Sequence, residues 1–282
     1  SYNCIKNIRG VIFRMNIGLG FFSLDKVYDK VRPDYDFDSI SKVLMEEFSS
    51  DIKLTGAEIG AGSGKFTSVL LKTLDFEKLS IVDPEKAAME EHKKKFASNN
   101  SNLHYVNAYS DSTQLEEHSL DCIFVSQAFH FFPVEEARKE FLRILKPNGK
   151  VFIFGRFLLD SEEVSKQFIA LTRFGKRLNG YQNNILAYDE ENIATFFGKK
   201  VEKKIIRNEY LSYTKEELID NVKIRIKASG DENLINNQDI QEEIINTINK
   251  FFEKYRDKKN KVRLKYQSFY FCSDIVNYEK AI

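Results

Sequence analysis

The run Glu58-Ile59-Gly60-Ala61-Gly62-Ser63-Gly64 constrains this chain more than any other stretch of its sequence. Ala57 to Ile59 read as a short strand entering the glycines, and Phe66–Leu74 shows helical periodicity behind them. Glycine at alternate positions lets the backbone turn sharply and lets a ligand approach with no Cβ in the way. Two familiar glycine loops are excluded by one or two residues each. A P-loop needs glycine five positions before its Gly-Lys pair and Ser or Thr after it; Ile59 and Phe66 stand there instead. The dinucleotide fingerprint G-x-G-x-x-G needs glycine where this chain has Lys65.

The surroundings of the loop alternate strand-like and helix-like segments, the pattern of a parallel sheet with helices on both faces. Leu79–Val82, Leu103–Val106, Leu120–Ser126 and Lys150–Phe154 are expected strands, and Asp36–Ser49 and Glu135–Leu145 expected helices. Asp83-Pro84 has the form of a helix start, a capping acid followed by proline at the first helical position. Pro147-Asn148-Gly149 is a turn signature. After Gly155 the rhythm changes. A helical and loop region, Leu158–Phe197, precedes β-rich segments at Val201–Leu211 and Val262–Ser273, with helices at Lys215–Ala228 and Asp239–Lys254 between them. Ile240, Ile244, Ile248, Phe251, Phe252 and Tyr255 mark the apolar face of the last helix. The expected organisation is one domain over residues 21–282, with 156–197 as a helical insertion on the substrate side. Residues 1–20 form an extension; Ser1 to Arg14 lack a pattern, and Arg9-Gly10-Val11 is what a purine-rich ribosome-binding sequence would encode, so Met15 is the expected native start.

Composition narrows the partners. Forty-three basic and forty-two acidic residues leave a net charge of +1, without the basic bias of a nucleic-acid-binding domain. No apolar stretch reaches the roughly 18–20 residues of a membrane span, and no signal peptide is evident. Cys4, Cys122 and Cys272 are odd in number and far apart, which fits reduced thiols and a cytoplasmic location. Heavy use of Lys, Ile, Asn and Phe suggests an AT-rich bacterial genome. The histidines show no metal-ligand spacing, so no metal is expected.

G-x-G-x-G with an acid two positions ahead resembles motif I of the class I S-adenosylmethionine-dependent methyltransferases, and further motifs follow in the same order. Tyr109-Ser110-Asp111-Ser112 resembles the family stretch that meets adenine. Gln127-Ala128-Phe129-His130-Phe131-Phe132 is similar to the Q-A-x-H-W-F run of the small-molecule "type 11" subgroup. Phe141 to Lys150 resembles the family's L-x-R-V-L-x-P-G-G helix and turn, with Asn148 in place of the first turn glycine. Phe21 to Pro33 resembles the N-terminal lid, ending in Y-x-x-x-R-P, and Tyr266–Phe271 the closing strand. The resemblance covers residues 21–276. It implies an α/β, Rossmann-like class I methyltransferase fold: a seven-stranded, mostly parallel sheet with an antiparallel C-terminal strand, an N-terminal lid and a helical insertion after strand five.

The resemblance further implies S-adenosyl-L-methionine as cofactor and S-adenosyl-L-homocysteine as product. It assigns Tyr28, Arg32, Glu58, Gly60, Ala61, Gly62, Gly64, Asp83, Pro84, Ser110, Asp111, Gln127 and Ala128 to cofactor binding. Asp83 would hold the ribose; a plain helix N-cap is the alternative, and beside Glu58 and the glycines the ribose role is favoured. Tyr28 and Arg32 share a helix face, so Arg32 could pair with the cofactor carboxylate while Tyr28 covers the methyl; a solvated surface helix is the alternative. His130 and Tyr28 are the catalytic candidates, His130 as acid–base or as a wall of the methionine pocket. Phe22, Arg156, Arg173 and Tyr181 are the candidate substrate contacts, suited to an anionic or aromatic small molecule. The expected protein is a monomer or homodimer that methylates a small molecule by in-line displacement under the lid. A methyltransferase of protein or RNA, and a non-catalytic cofactor-binding regulator, share these motifs and stay open.

Overall fold

The computed structural model describes residues 4–6, 12–14, 34–49, 51–172, 188–228 and 236–276. At the N-terminus β1 (Cys4–Lys6) and β2 (Ile12–Arg14) pair antiparallel as a separate two-stranded ladder. After α1 (Phe37–Glu47) the chain alternates regularly. It runs through β3 (Leu54–Ile59), α2 (Lys65–Thr73), β4 (Phe76–Val82), α3 (Lys86–Phe96), β5 (Leu103–Val106), β6 (Leu120–Ser126), α4 (Val134–Ile144) and β7 (Leu145–Leu158). Then come α5 (Glu163–Thr172), α6 (Glu190–Phe197), β8 (Lys204–Tyr213), α7 (Lys215–Ala228), α8 (Gln238–Tyr255) and β9 (Val262–Ser273).

Seven strands form one sheet in the order β5-β4-β3-β6-β7-β9-β8. The pairs among β3 to β7 are parallel, and β9 inserts antiparallel between β7 and β8. The expected seven-stranded sheet with an antiparallel C-terminal strand is what the chain forms. Side chains alternate faces along a strand, and here both faces are apolar. Ile123 and Val125 of β6, with Val151 and Ile153 of β7, pack under α4 and α6. Cys122 and Phe124, with Phe152 and Phe154, pack under α1 and α2 on the opposite side. The chain lays down β3, β4 and β5 in one direction and then returns to place β6 on the other side of β3. The crevice between β3 and β6 is therefore the topological switch point, where open parallel sheets bind ligands at the carboxyl ends of their strands.

Three boundaries depart from the sequence expectation. α3 starts at Lys86 with Glu85 as its N-cap, so Asp83 does not cap the helix and Pro84 is not its first residue. The Asp83 carboxylate is occupied elsewhere, as described below. β7 continues to Leu158 because β9 pairs along it as far as Tyr266, which places Arg156 in a strand and not in the helical insertion. Gly155 does not end that strand: it faces Phe269, whose ring would lie 2.4 Å from a Cβ at this position. Finally, the ladder steps from Leu120 opposite Leu145 to Cys122 opposite Lys150, and residues 146–149 loop out with Asn148 in the left-handed region at φ 68°. Asn tolerates that conformation better than most residues, which is why it can replace the family's glycine.

The segment expected as a substrate-side insertion divides its helices between two places. α6 is a core helix: Asp189 accepts the Asn192 N–H at 2.8 Å, Gly198 ends it at φ 71°, and Ile193, Phe196 and Phe197 are buried against α4. α5 instead joins α7, α8 and the start of β9 around Phe168, Leu218, Val222, Ile248, Phe251 and Leu264. Among the described residues no helix is long and apolar enough to cross a membrane.

Candidate cofactor site

The glycine loop lies at the switch point, and its backbone explains its composition. Gly60, Gly62 and Gly64 have φ values of 78°, 56° and 85°, a region closed to most L residues. Gly60 is required twice over, since a Cβ there would sit 2.4 Å from the Ala128 Cβ, where the end of β6 presses on the end of β3. The loop is sewn to β4: Gly60 N and Ala61 N donate to the Val82 carbonyl at 2.8 and 3.3 Å. Gly62 N donates to Asp83 Oδ2 at 2.9 Å, and Glu85 N donates to Oδ1 at 2.8 Å. Asp83 thus belongs to the loop and the Pro84 turn at once, with lone pairs remaining on each oxygen. Burial pushes its carboxyl up to about 6.

Glu58, at the end of β3, is 1 % exposed. Burial pushes its carboxyl up to about 8, and the nearby Asp83 charge acts in the same direction. It accepts from Thr67 Oγ1 of α2 at 2.5 Å. The same hydroxyl lies 2.8 Å from His92 Nε2 of α3, and His92 Nδ1 lies 3.2 Å from the Tyr105 hydroxyl on β5. Burial pushes His92 down to about 4, with the Lys95 charge adding to the effect. From sequence, His92 looks like one of several scattered histidines; the structure puts it against the glycine loop. The available signal was its place in α3, one turn beyond the buried Ala88 and Met89 on the helix face that packs on the sheet.

The end of β6 forms the other wall. Gln127 takes a left-handed backbone at φ 57°, and its buried side-chain Nε2 has no hydrogen-bond partner among the described residues. Ala128 touches the loop at Gly60, and a 3-10 turn, Phe129–Phe131, carries His130. His130 Nδ1 lies 3.4 Å from the Tyr188 hydroxyl, and its ring is 4.0 Å from that of Phe131. Ser126 Oγ donates to Tyr35 Oη at 2.7 Å, bringing the segment ahead of α1 to the same strand end. Tyr35 and Tyr188 carry no motif signal; each reaches the site across more than fifty residues of chain. Beyond β5, Asn107 Nδ2 donates to the Asp83 carbonyl at 2.8 Å. The loop bearing the buried Ser110 and the half-buried Asp111 is then fastened to α4 by Glu140, which accepts from Thr113 N and Oγ1 and pairs with Arg143.

The structure therefore brings Glu58, the three glycines, Ala61, Asp83, Pro84, Gln127 and Ala128 into one cradle, with Ser110 and Asp111 on the strand end beyond it. Arg156 is committed inside the protein: Nη1 donates to the Asp34 carbonyl at 2.9 Å and lies 3.7 Å from Glu209 Oε1. Its charge faces that of Glu209 there, a carboxylate that Arg207 also approaches, at 3.5 Å. Phe22, Tyr28, Arg32, Arg173 and Tyr181 lie outside the described residues. Among the described residues no group of three or more His, Cys, Asp or Glu is placed to hold a metal ion.

The donor set fits an adenosylated amino acid. Asp83 can accept from vicinal hydroxyls, Glu58 can face an ammonium, and the orphaned Gln127 amide can donate to the same ligand. The family model for a methyltransferase domain matches residues 57–153, the span from the glycine loop to β7. An uncharacterised methyltransferase of Schizosaccharomyces pombe is 38 % identical over 124 residues, covering 44 % of this chain and 47 % of its own length. The chain thus spans about half the length of this curated relative. The malonyl-[acyl-carrier protein] O-methyltransferase of a Marinomonas species is 25 % identical over 193 residues, covering 62 % of this chain and 71 % of the relative. Relatives in both a yeast and a bacterium do not single out the bacterial source that the composition suggests. A provisionally named type II methyltransferase from Anaeromyxobacter dehalogenans superposes with a TM-score of 0.54 at 16 % identity, over 88 % of this chain and 99 % of that one, a likeness of fold. Residues 57–153 thus match a methyltransferase domain, and the sheet that holds them has the Rossmann-like fold of the class I S-adenosylmethionine-dependent methyltransferases.

Proposed function

We propose that the protein transfers a methyl group from S-adenosylmethionine to a small-molecule acceptor. The observation that carries this reading is the cradle in which Asp83 accepts the Gly62 N–H while the Gln127 amide, held in left-handed backbone, keeps an unpartnered donor. When bound, the cofactor supplies an electrophilic methyl group on a positively charged sulfur. The protein's task is then to align the acceptor with it and to exclude water. In this reading Asp83 accepts from the ribose hydroxyls, Glu58 faces the ammonium, Ser110 and Asp111 meet the adenine edge, and the glycine loop lies along the amino-acid end. Tyr28 and Arg32 enter on the family resemblance alone.

The acceptor side is inferred from the wall beside Gln127. His130, Phe131, Phe132, Phe157 and Tyr188 favour a molecule with an apolar or aromatic body, and His130, oriented by Tyr188, is the group available to take or place a proton. The Marinomonas relative acts on malonyl-[acyl-carrier protein], which supports an acid as the acceptor class.

Calorimetric titration with S-adenosylmethionine and S-adenosylhomocysteine tests the site, alongside Gly62→Arg and Asp83→Ala. Micromolar binding that both variants lose supports the reading. A screen of small aromatic and aliphatic acids for methyl transfer tests the acceptor, with Asp83→Ala as the inactive control. Failure of the folded protein to bind either ligand would overturn the proposal. Binding with no methyl transfer to any acid would instead point to a cofactor-binding regulator.

A further inference from the structure

The Glu58 carboxylate is the end of a chain whose other members come from three different elements, with only Tyr105 half-buried. Thr67 Oγ1 of α2 is 2.5 Å from Glu58 Oε2, His92 Nε2 of α3 is 2.8 Å from that hydroxyl, and the Tyr105 hydroxyl of β5 is 3.2 Å from His92 Nδ1. Thr67 and His92 are both fully buried. A hydroxyl has one proton, and an ionised carboxylate only accepts. Thr67 therefore donates to Glu58 and must accept from His92, which places the single proton of a neutral imidazole on Nε2. Nδ1 is then left to accept from Tyr105. With Glu58 ionised, every donor in the chain points toward it. If Glu58 carried a proton, the same atoms would allow the reverse order.

His92 is fixed in place by its surroundings. Its ring lies 4.8 Å from Phe96 and edge-on to Tyr105 at 5.4 Å. A Cβ on Gly64 would meet it at 2.8 Å, so the third glycine of the loop makes room for this imidazole. One turn further along α3, Lys95 Nζ donates to the Ser63 carbonyl at 3.2 Å. α3 therefore holds the glycine loop from behind at two points and reaches its carboxylate through a third.

We infer that Tyr105, His92 and Thr67 form an ordered donor chain that holds Glu58 as an aimed carboxylate for the α-ammonium of the cofactor, with His92 as a positioning residue. This rests on the proposed S-adenosylmethionine site. Removing the Thr67 hydroxyl should affect only the ligand's amino-acid end, where a hydrogen bond to a charged group is at stake.

Titration with S-adenosylhomocysteine, which carries the ammonium, and with 5′-methylthioadenosine, which lacks the amino-acid end, separates the possibilities. Thr67→Val and His92→Phe are expected to weaken S-adenosylhomocysteine by about tenfold or more, the scale of one lost charged hydrogen bond. Both should leave 5′-methylthioadenosine within about twofold, and Thr67→Ser should restore binding. Equal losses for both ligands, or no loss for either, would overturn the inference. If wild-type protein binds neither ligand, the site itself fails, a distinct outcome. A measurement on the wild type needs no variant to fold: long-range 1H–15N spectra of the S-adenosylhomocysteine complex should show His92 with its proton on Nε2. A proton on Nδ1 would refute the ordered chain.

Discussion

Glu58 and Asp83 are two carboxyls at neighbouring strand ends, and burial raises both, to about 8 and about 6. A carboxyl whose folded pKa lies above its unfolded value of 4.5 or 3.8 binds more protons when folded, so its contribution to stability falls as pH rises through that window. The ammonium of a cofactor favours the ionised Glu58 and reverses the balance. At pH 7 binding of S-adenosylmethionine should therefore release protons, and affinity should rise as pH climbs from about 6 towards about 8. Calorimetry in buffers of different ionisation enthalpy reads the release directly. In Glu58→Gln it should shrink; an unchanged release would assign the proton to another group. The glycines show the same economy at this scale: Gly60 yields to Ala128 and Gly64 to His92, so at least two of the three serve protein packing as well as any ligand.

At the scale of elements, α6 shows how differently a helix's contacts weigh. Phe196 is fully buried, with its ring edge-on to Phe129 at 5.1 Å and to Phe141 at 5.4 Å. Phe196→Ala empties that space and should cost roughly 3–5 kcal/mol. Asp189→Ala removes one N-cap hydrogen bond, worth about 1 kcal/mol. The exposed Lys199–Asp274 pair just beyond the helix should contribute no more than about 1 kcal/mol. Urea unfolding of Phe196→Ala, Asp189→Ala and Lys199→Ala should return that order. A Phe196→Ala cost no greater than that of the cap variant would show that α6 is not part of the core.

At the scale of the whole molecule, two apolar layers sandwich the sheet, and a third cluster joins α5, α7 and α8 to the far ends of β8 and β9. The proposed cofactor cradle is built from β3, β4, β6 and the loops after them, none of whose residues belongs to that third cluster. Phe251, its ring tilted against Phe168 at 5.6 Å and Tyr255 at 5.0 Å, is one of its buried members. Phe251→Ala should therefore speed amide exchange in α5, α7, α8 and the start of β9 while β3 to β6 stay protected. S-adenosylhomocysteine affinity should stay within about twofold, since the cradle makes no use of that layer. Equal loss of protection throughout would mean that the three clusters open as one unit.

What residues 57–153 become was legible in the order of residues alone, because glycine spacing, strand patterning and terminal acids act locally. The loop, Asp83 and the Gln127–His130 turn could be named before any contact was known. The limits of Lys215–Ala228 and Val262–Ser273 could be read from their own periodicity. Tertiary structure decided whatever depends on a distant partner. β7 runs past Gly155 because β9 arrives from more than a hundred residues away, and Arg156 pairs with Glu209 of β8 and donates to the backbone carbonyl of Asp34 ahead of α1. Asp83 is withdrawn from capping α3 by a loop on another strand, and His92 becomes part of the site through a hydroxyl on α2. Periodicity records which face of an element is buried; it holds no record of which element will cover that face.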